Sequence, residues 1–252
     1  MVISKEQLQN NLNAKYTFEL VESLDSTMDY IKKYADEKKY NHIVISREQV
    51  AGRGRNGKEF LSQKDTGLYM SVLIKPNFSY EELLKVSILT STAVYSAVKE
   101  LYGIDLELKW VNDLILGDKK VGGILCESSI TTNNELEYVI IGLGLNTKKQ
   151  EFTPDLVDIA SSIENLRDVE IEEGLLAAKI IDYLDKYLED DSKYLELYKK
   201  VSNIIGKEID VHINNESFSA VAILINKYGH LLVDKSGEMI PLTSGEVSIR
   251  KK

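Results

Sequence analysis

Residues 105–128 read DLELKWVNDLILGDKKVGGILCES, and residues 136–145 read LEYVIIGLGL. Four strand-like runs lie in this stretch, at 105–110, 113–116, 120–128 and 136–145. They are short and rich in Leu, Ile and Val, as strands with at least one buried face are. Gly117-Asp118 marks a turn between the second and third runs. Consecutive strands joined by short turns predict a mixed or antiparallel sheet, not an alternation of βαβ units.

Upstream, residues 15–24 (KYTFELVESL) alternate Tyr16, Phe18 and Leu20 with polar neighbours, the period of a half-buried strand. Ser26 and Thr27 are good helix caps and open a helix expected to run to about Lys38. Residues 42–47 (HIVISR) form a second strand, and 68–75 (LYMSVLIK) a third, closed by Pro76. Between them lies EQVAGRGRNGKEFLSQKDTG, residues 48–67, which has no apolar period. A loop of that length inside a compact domain is usually functional or disordered. Ser79 and Glu82 make a capping box for a long helix whose apolar positions continue from Leu83 to Leu101 and stop near Gly103.

Downstream, residues 171–200 carry one or two amphipathic helices, with Leu175, Leu176, Ile180, Leu184 and Leu188 as apolar positions. From residue 203 the texture changes to short strands at 207–213, 217–226, 230–234, 238–242 and 246–250. Asn214-Asn215, Tyr228-Gly229 and Ser236-Gly237 separate them. Five short strands in so few residues predict a small β-barrel. Two units are therefore expected, 1–202 and 203–252.

The 252 residues are 43% hydrophobic and 28% charged, enough apolar material for a core. The net charge of −9 opposes general binding to nucleic acid and to anionic membranes. An anionic ligand would need a local basic cluster. The lone cysteine, Cys126, permits no intramolecular disulfide and suits a reducing cytoplasm. It lies in an alternating strand and reads as a packed small hydrophobe. The three histidines are scattered, so no structural zinc site is expected. No apolar run is long enough to span a membrane.

Three segments carry chemistry. Gly52-Arg53-Gly54-Arg55-Asn56-Gly57 satisfies the bare dinucleotide pattern G-x-G-x-x-G, but the residues after it do not open a helix, so that reading fails. The glycines let the backbone fold closely over a ligand, and the arginines offer forked donors to carboxylate or phosphate oxygens. The alternative is a solvated basic loop. Lys109-Trp110-Val111-Asn112-Asp113 and Lys119-Lys120-Val121-Gly122-Gly123 flank a hairpin, which lets their lysines face one site. Ammonium groups there would stabilise charge on a reacting phosphate. Asp113 could hold a magnesium ion directly or through water. The alternative is an exposed hairpin, favoured for Lys119. Gly142-Leu143-Gly144-Leu145-Asn146 ends an apolar strand, where glycine marks close approach of a ligand or a bulge.

Taken in order, Leu24 through Thr27, Gln49 through Gly57, Lys109 through Asp113, Lys120 through Leu125 and Gly142 through Asn146 resemble the bacterial biotin–protein ligases. Gly245 through Ser248 is similar to that family's closing barrel strand. The resemblance covers nearly the whole chain. It implies an α+β fold, a mixed β-sheet catalytic domain with packed helices followed by a small SH3-like β-barrel. It implies that Ser26, Thr27 and Gln49 contact the biotin head group, and that Arg53, Gly54 and Arg55 close over biotin and its adenylate. It implies that Lys120 bridges the biotin carboxylate and the α-phosphate, with Arg55, Lys109, Asn112 and Asn146 on the ATP side. Lys120 and Arg55 are the expected catalytic residues. Biotin, ATP and Mg²⁺ are the implied ligands, a biotin carboxyl carrier protein the implied partner, and a homodimer the implied assembly. Two positions depart from the family: Met28 stands where Asn is usual, and Val111 where Pro is usual.

Regulatory members of the family carry a helix-turn-helix domain ahead of the Ser-Thr pair. The 25 residues before Ser26 are too few for such a module, so sequence-specific DNA binding is not expected. The nearest alternative is a lipoate–protein ligase, which performs the same type of activation. A nucleic-acid-binding protein using the arginine loop is a third, opposed by the acidic charge.

Overall fold

A computed structural model describes residues 3–249 except 76, 78, 133, 134, 214 and 215. The expected stop at Pro76 and the Asn214-Asn215 turn therefore lie outside the described residues. Seven strands form the larger sheet: β1 (Thr17–Val21), β2 (His42–Ser46), β3 (Gly67–Ile74), β4 (Glu107–Lys109), β5 (Asp113–Leu116), β6 (Lys119–Ile130) and β7 (Leu136–Asn146). Their spatial order is β1-β2-β3-β7-β6-β5-β4. Only β1 and β2 pair in parallel, and the other neighbours are antiparallel. The sheet is thus mixed, as consecutive strands with short turns require. The parallel pair is joined by α2 (Thr27–Asp36).

Each face of the sheet buries its own apolar set. In β2, Ile43 and Ile45 belong to one core and Val44 to the other. In β7, Ile140 points to the second core while Ile141 and Leu143 point to the first. This two-residue alternation is the pleat itself. Met28, Ile31 and Ala35 of α2 cover Val44, Leu73 and Ile140. The opposite face is covered by α3 (Leu83–Tyr102) and α5 (Glu173–Glu189).

The Ser79–Glu82 capping box is formed and starts a short 3-10 turn that leads into α3. Gly103 ends that helix in a left-handed conformation, φ 69°. A residue with a side chain is strained there, which is why the helix stops at glycine. Two short helices were not foreseen. In α1 (Lys5–Asn11), Ser4 caps the N-terminus and Leu8 is the one buried side chain, packing against α5. The other, α4 (Ile163–Leu166), is a single turn capped by Ser162. Neither is long enough to display a helical period.

After α6 (Asp191–Val201) come β8 (Glu208–Ile213), β9 (Glu216–Ile225), β10 (Leu231–Lys235), β11 (Glu238–Leu242) and β12 (Glu246–Ile249). They form one antiparallel sheet in the order β11-β10-β9-β8-β12. Its apolar side joins the main core through Ile209, Val211, Leu231 and Val233. The buried Trp110 Nε1 donates to Gly229 O at 2.9 Å, tying the two sheets together. No helix among the described residues is long and apolar enough to cross a membrane.

Candidate functional site

The register of the large sheet places Ser71 beside Gly142, Tyr69 beside Gly144 and Gly67 beside Asn146. It also places Gly142 beside Leu125 and Gly144 beside Gly123. Laterally paired residues share a face, so Ser71, Gly142, Gly144 and Gly123 line one strip of sheet on the α2 side. Glycine is needed in that strip for want of space. A Cβ on Gly142 would lie 2.6 Å from Met28 Sδ, and one on Gly144 would lie 2.6 Å from the Phe60 ring. Met28 and Phe60 thus descend onto the glycine floor from the helix and from the loop.

A polar cluster stands at the start of α2. Gln49 Oε1 accepts from Thr27 N at 2.9 Å and from Thr27 Oγ1 at 3.1 Å. Gln49 Nε2 donates to Ser62 Oγ at 2.9 Å, and Ser71 Oγ donates to Thr27 Oγ1 at 2.8 Å. Ser26 precedes the helix but makes no capping bond with its side chain. Its hydroxyl is buried and has no partner among the described residues. A buried hydroxyl left unpaired is costly, so it marks a place that a polar ligand group would satisfy. Ser62 and Ser71 were not foreseen. Ser71 did carry a signal, since it is a hydroxyl inside the otherwise apolar run LYMSVLI.

The glycine–arginine segment is a narrow excursion of chain with a single 3-10 turn at Arg55–Gly57 and no α-helix after it. Phe60 N donates to Gly52 O at 2.9 Å and Gly54 N to Lys58 O at 2.7 Å, closing it on itself. A Cβ on Gly52 would meet Phe60 O at 2.4 Å. The glycines therefore serve close approach of the two arms of the loop. The two arginines diverge. Arg55 Nη1 donates to Asn112 Oδ1 at 3.1 Å, and its Nη2 reaches Gly245 O at 3.4 Å. Arg53 turns the other way, pairing with Asp29 at 2.7 Å and with Glu127. Arg53, expected with Gly54 and Arg55 to close over biotin and its adenylate, is paired here with these two carboxylates. The loop tip also touches the small sheet, where Lys58 Nζ lies 2.8 Å from Glu246 Oε1.

The KW-x-ND hairpin faces this loop. Lys120 Nζ lies 2.5 Å from Asp113 Oδ1, and Lys109 Nζ lies 4.0 Å from Asp113 Oδ2. Lys109 and Lys120 therefore meet at one carboxylate. Lys119 does not join them and is not left to solvent: its ammonium donates to the carbonyls of Val157 and Asp158. The β5–β6 pairing shifts register between Leu114 and Ile115, so Val121 has no partner of its own. This bulge turns Lys120 toward the glycine strip. A Cβ on Gly123 would lie 3.5 Å from Lys120 Nζ. Asn112 is held by Nδ2 to Ile124 O at 3.0 Å, which aims its Oδ1 at Arg55. The Trp110–Val111 peptide is cis.

Asn146 acts on the other side of Lys120. Its Nδ2 donates to Ser161 O at 3.1 Å, while Ser161 N donates to Lys120 O at 3.0 Å. Asn146 thus braces the segment that pairs with Lys120, and its buried Oδ1 has no partner among the described residues. Asp113 is shared by two lysines, and no group of three or more His, Cys, Asp or Glu side chains among the described residues could hold a metal. Asp113, the expected magnesium ligand, is paired here with both lysines. Burial pushes the Cys126 thiol up to about 11, away from a reactive thiolate.

The glycine strip, the polar cluster and the three cations Arg55, Lys109 and Lys120 lie on the α2 side of the sheet, beneath the loop that carries Phe60. The profile of the Biotin/lipoate A/B protein ligase family matches residues 20–146, from β1 to the end of β7. The chain belongs to that family. It is 27% identical over 232 residues to the bifunctional ligase/repressor BirA of Salmonella typhimurium, covering 90% of this chain and 72% of that protein. It is 24% identical over 216 residues to the biotin–[acetyl-CoA-carboxylase] ligase of Mycobacterium tuberculosis, covering 81% of this chain and 77% of that protein. Its fold matches that of the biotin protein ligase from Aquifex aeolicus in complex with biotin and ATP. The TM-score is 0.80 at 24% identity, over 94% of this chain and 99% of the other.

Proposed function

We propose that this chain is an ATP-dependent biotin–protein ligase. It joins biotin to ATP as biotinyl-5′-AMP, releases pyrophosphate, and passes the biotinyl group to a lysine of a biotin carboxyl carrier protein. The observation that carries this reading is the convergence of Arg55, Lys109 and Lys120 on the end of a glycine-floored slot whose other end holds the unpaired Ser26 hydroxyl. A ligand with an uncharged polar head and an anionic tail fits that polarity. Ser26, Thr27 and Gln49 would take the head. Three cations against the single carboxylate of Asp113 would take the tail and the phosphate.

Both reactants of the first step are anions. Arg55 and Lys120 offset their repulsion and orient the carboxylate oxygen toward the α-phosphorus. That bond forms as the bond to pyrophosphate breaks. Phe60 and the loop above it keep water from the mixed anhydride. In the second step the carrier's lysine, having lost a proton, attacks the acyl carbon and AMP leaves. No enzyme nucleophile is needed. Asn112 and Asn146 keep Arg55 and Lys120 in place. Magnesium would accompany the ATP phosphates, and Asp113 is the carboxylate that could meet it directly or through water. An ATP-consuming reaction of this type suits the cytoplasm. Self-association would use an end strand of the large sheet, β1 or β4.

ATP–pyrophosphate exchange tests the reading. Exchange should depend on biotin, and lipoate should not replace it. Exchange driven by lipoate and not by biotin would assign the chain to the other branch of its family.

A further inference from the structure

The two arginines of the loop are in different electrostatic settings. Arg53 joins a quartet built from three elements. Its Nη1 lies 2.7 Å from Asp29 Oδ1 in the first turn of α2, and its Nη2 pairs with Glu127 on β6. Lys32 closes the ring, 2.9 Å from Asp29 and 3.2 Å from Glu127. Two cations meet two carboxylates, so the quartet is neutral. Burial alone would raise the Asp29 carboxyl, but Lys32 and Arg53 together hold it below the usual carboxylate range. Among the described residues, Arg55 hydrogen-bonds to neutral acceptors, the Asn112 side chain and the Gly245 carbonyl, and its charge acts on Glu246 at longer range.

We propose that Asp29 and Glu127 are positioning residues that hold Arg53 as a tie between the loop, α2 and β6, leaving Arg55 as the loop's anion-binding arginine. The proposal rests on the reading of the slot as a biotin and adenylate site. The two carboxylates reach Arg53 from the helix that carries Thr27 and from the strand that carries Lys120. One guanidinium thus sets the loop against both halves of the slot. A planar fork with two carboxylates fixes direction as well as distance. The four side chains are a third to a half exposed. Such pairs add little to global stability, so losing one loosens the loop without unfolding the chain.

The rival arrangement is a parked arginine that leaves the carboxylates and swings onto the ligand. The two arrangements predict opposite signs. If Asp29 and Glu127 compete with the ligand for Arg53, removing their charge strengthens ligand binding. If they position Arg53, removing it weakens binding.

The experiment uses the full chain with Glu127→Gln and Asp29→Asn. Amide hydrogen exchange over residues 50–60 is read without ligand, and the KM for biotin and kcat are read by pyrophosphate exchange. Each single variant should speed amide exchange in 50–60 by about two- to fivefold, since the opened loop becomes more populated. The KM for biotin should rise several-fold more than kcat falls, as expected when ground-state positioning is lost. Thermal midpoints should stay near that of the parent. A lower KM for biotin in Glu127→Gln or Asp29→Asn overturns the proposal, as does unchanged amide exchange in both. The amide-exchange arm needs no substrate. A chain that fails to activate biotin would therefore defeat the functional reading while still judging the tie.

Discussion

Lys120 shows how much one side chain depends on its neighbours. Its ammonium is held by Asp113 at 2.5 Å and faces the glycine strip across Gly123. When a phosphate and a carboxylate are present, that charge can meet both, and its effect should grow as charge builds in the transition state. Lys120→Ala should slow pyrophosphate exchange by roughly 10²-fold, the usual loss on removing one electrostatic donor. Lys119→Ala is the comparison, because the Lys119 ammonium is spent on the carbonyls of Val157 and Asp158. Exchange in that variant should fall by less than about tenfold, because the two bonds it loses are to neutral carbonyls and not to reacting groups. Steady-state exchange rates at saturating substrate decide this. Equal losses in both variants would remove Lys120 from its assigned place.

At the scale of elements, the long loop is held at its neck. Arg47 grips Asp65 with two parallel bonds, Nε to Oδ1 at 2.7 Å and Nη2 to Oδ2 at 2.6 Å. Its Nη1 takes Glu22 at 2.6 Å, and Asp65 N returns to Arg47 O at 3.0 Å. The bond to Arg47 holds the Asp65 carboxyl below the usual carboxylate range. A carboxyl with a lowered folded-state pKa binds its proton more readily in the unfolded chain. Its contribution is therefore complete above the ordinary Asp value, about 3.9, and disappears as pH falls through the lower folded value. Asp65→Asn keeps a residue that tolerates the observed φ of 60° and removes only the charge. The parent should be more stable than the variant at pH 7, and the gap should close as pH drops below about 4. Urea midpoints at pH 7, 5 and 3 check this; a gap independent of pH would mean the clamp owes nothing to charge.

For the molecule as a whole, the two sheets behave as one body if they share one core. Trp110 is the only tryptophan and is buried at their junction, with its indole N–H on Gly229 O. A Cβ on Gly229 would lie 2.9 Å from Ile88 Cδ1 of α3, so the turn before β10 is pressed against the large sheet's helix layer. Asn203 N also donates to Leu108 O at 3.1 Å. Tryptophan emission and far-UV ellipticity should then melt in a single shared transition. Trp110→Phe, which orphans the Gly229 carbonyl, should cost about 1–3 kcal/mol in denaturant unfolding. Emission that shifts well before the ellipticity would show the small sheet separating first.

Much of this architecture was legible from neighbouring residues. The two-residue alternation of the strands, the Ser79–Glu82 box and the Gly103 stop depend on contacts within a turn or a strand, where sequence and geometry are locally coupled. Among the residues expected at the site, Thr27 bonds Gln49, Arg55 bonds Asn112, and Lys109 and Lys120 meet at Asp113. Their directions were not legible. Alternation alone would set Lys120 and Gly123 on opposite faces, and the bulge at Val121 brings them together. The two arginines of the motif look equivalent in the sequence, yet Arg53 pairs with Asp29 and Glu127 while Arg55 bonds the Asn112 side chain. Those partners lie on a helix and a strand that meet the loop only after the sheet has formed. Local pattern determined which elements exist and which chemical groups they carry. Sheet register and the pairing of distant charges, which depend on the whole chain's packing, decided where each group points.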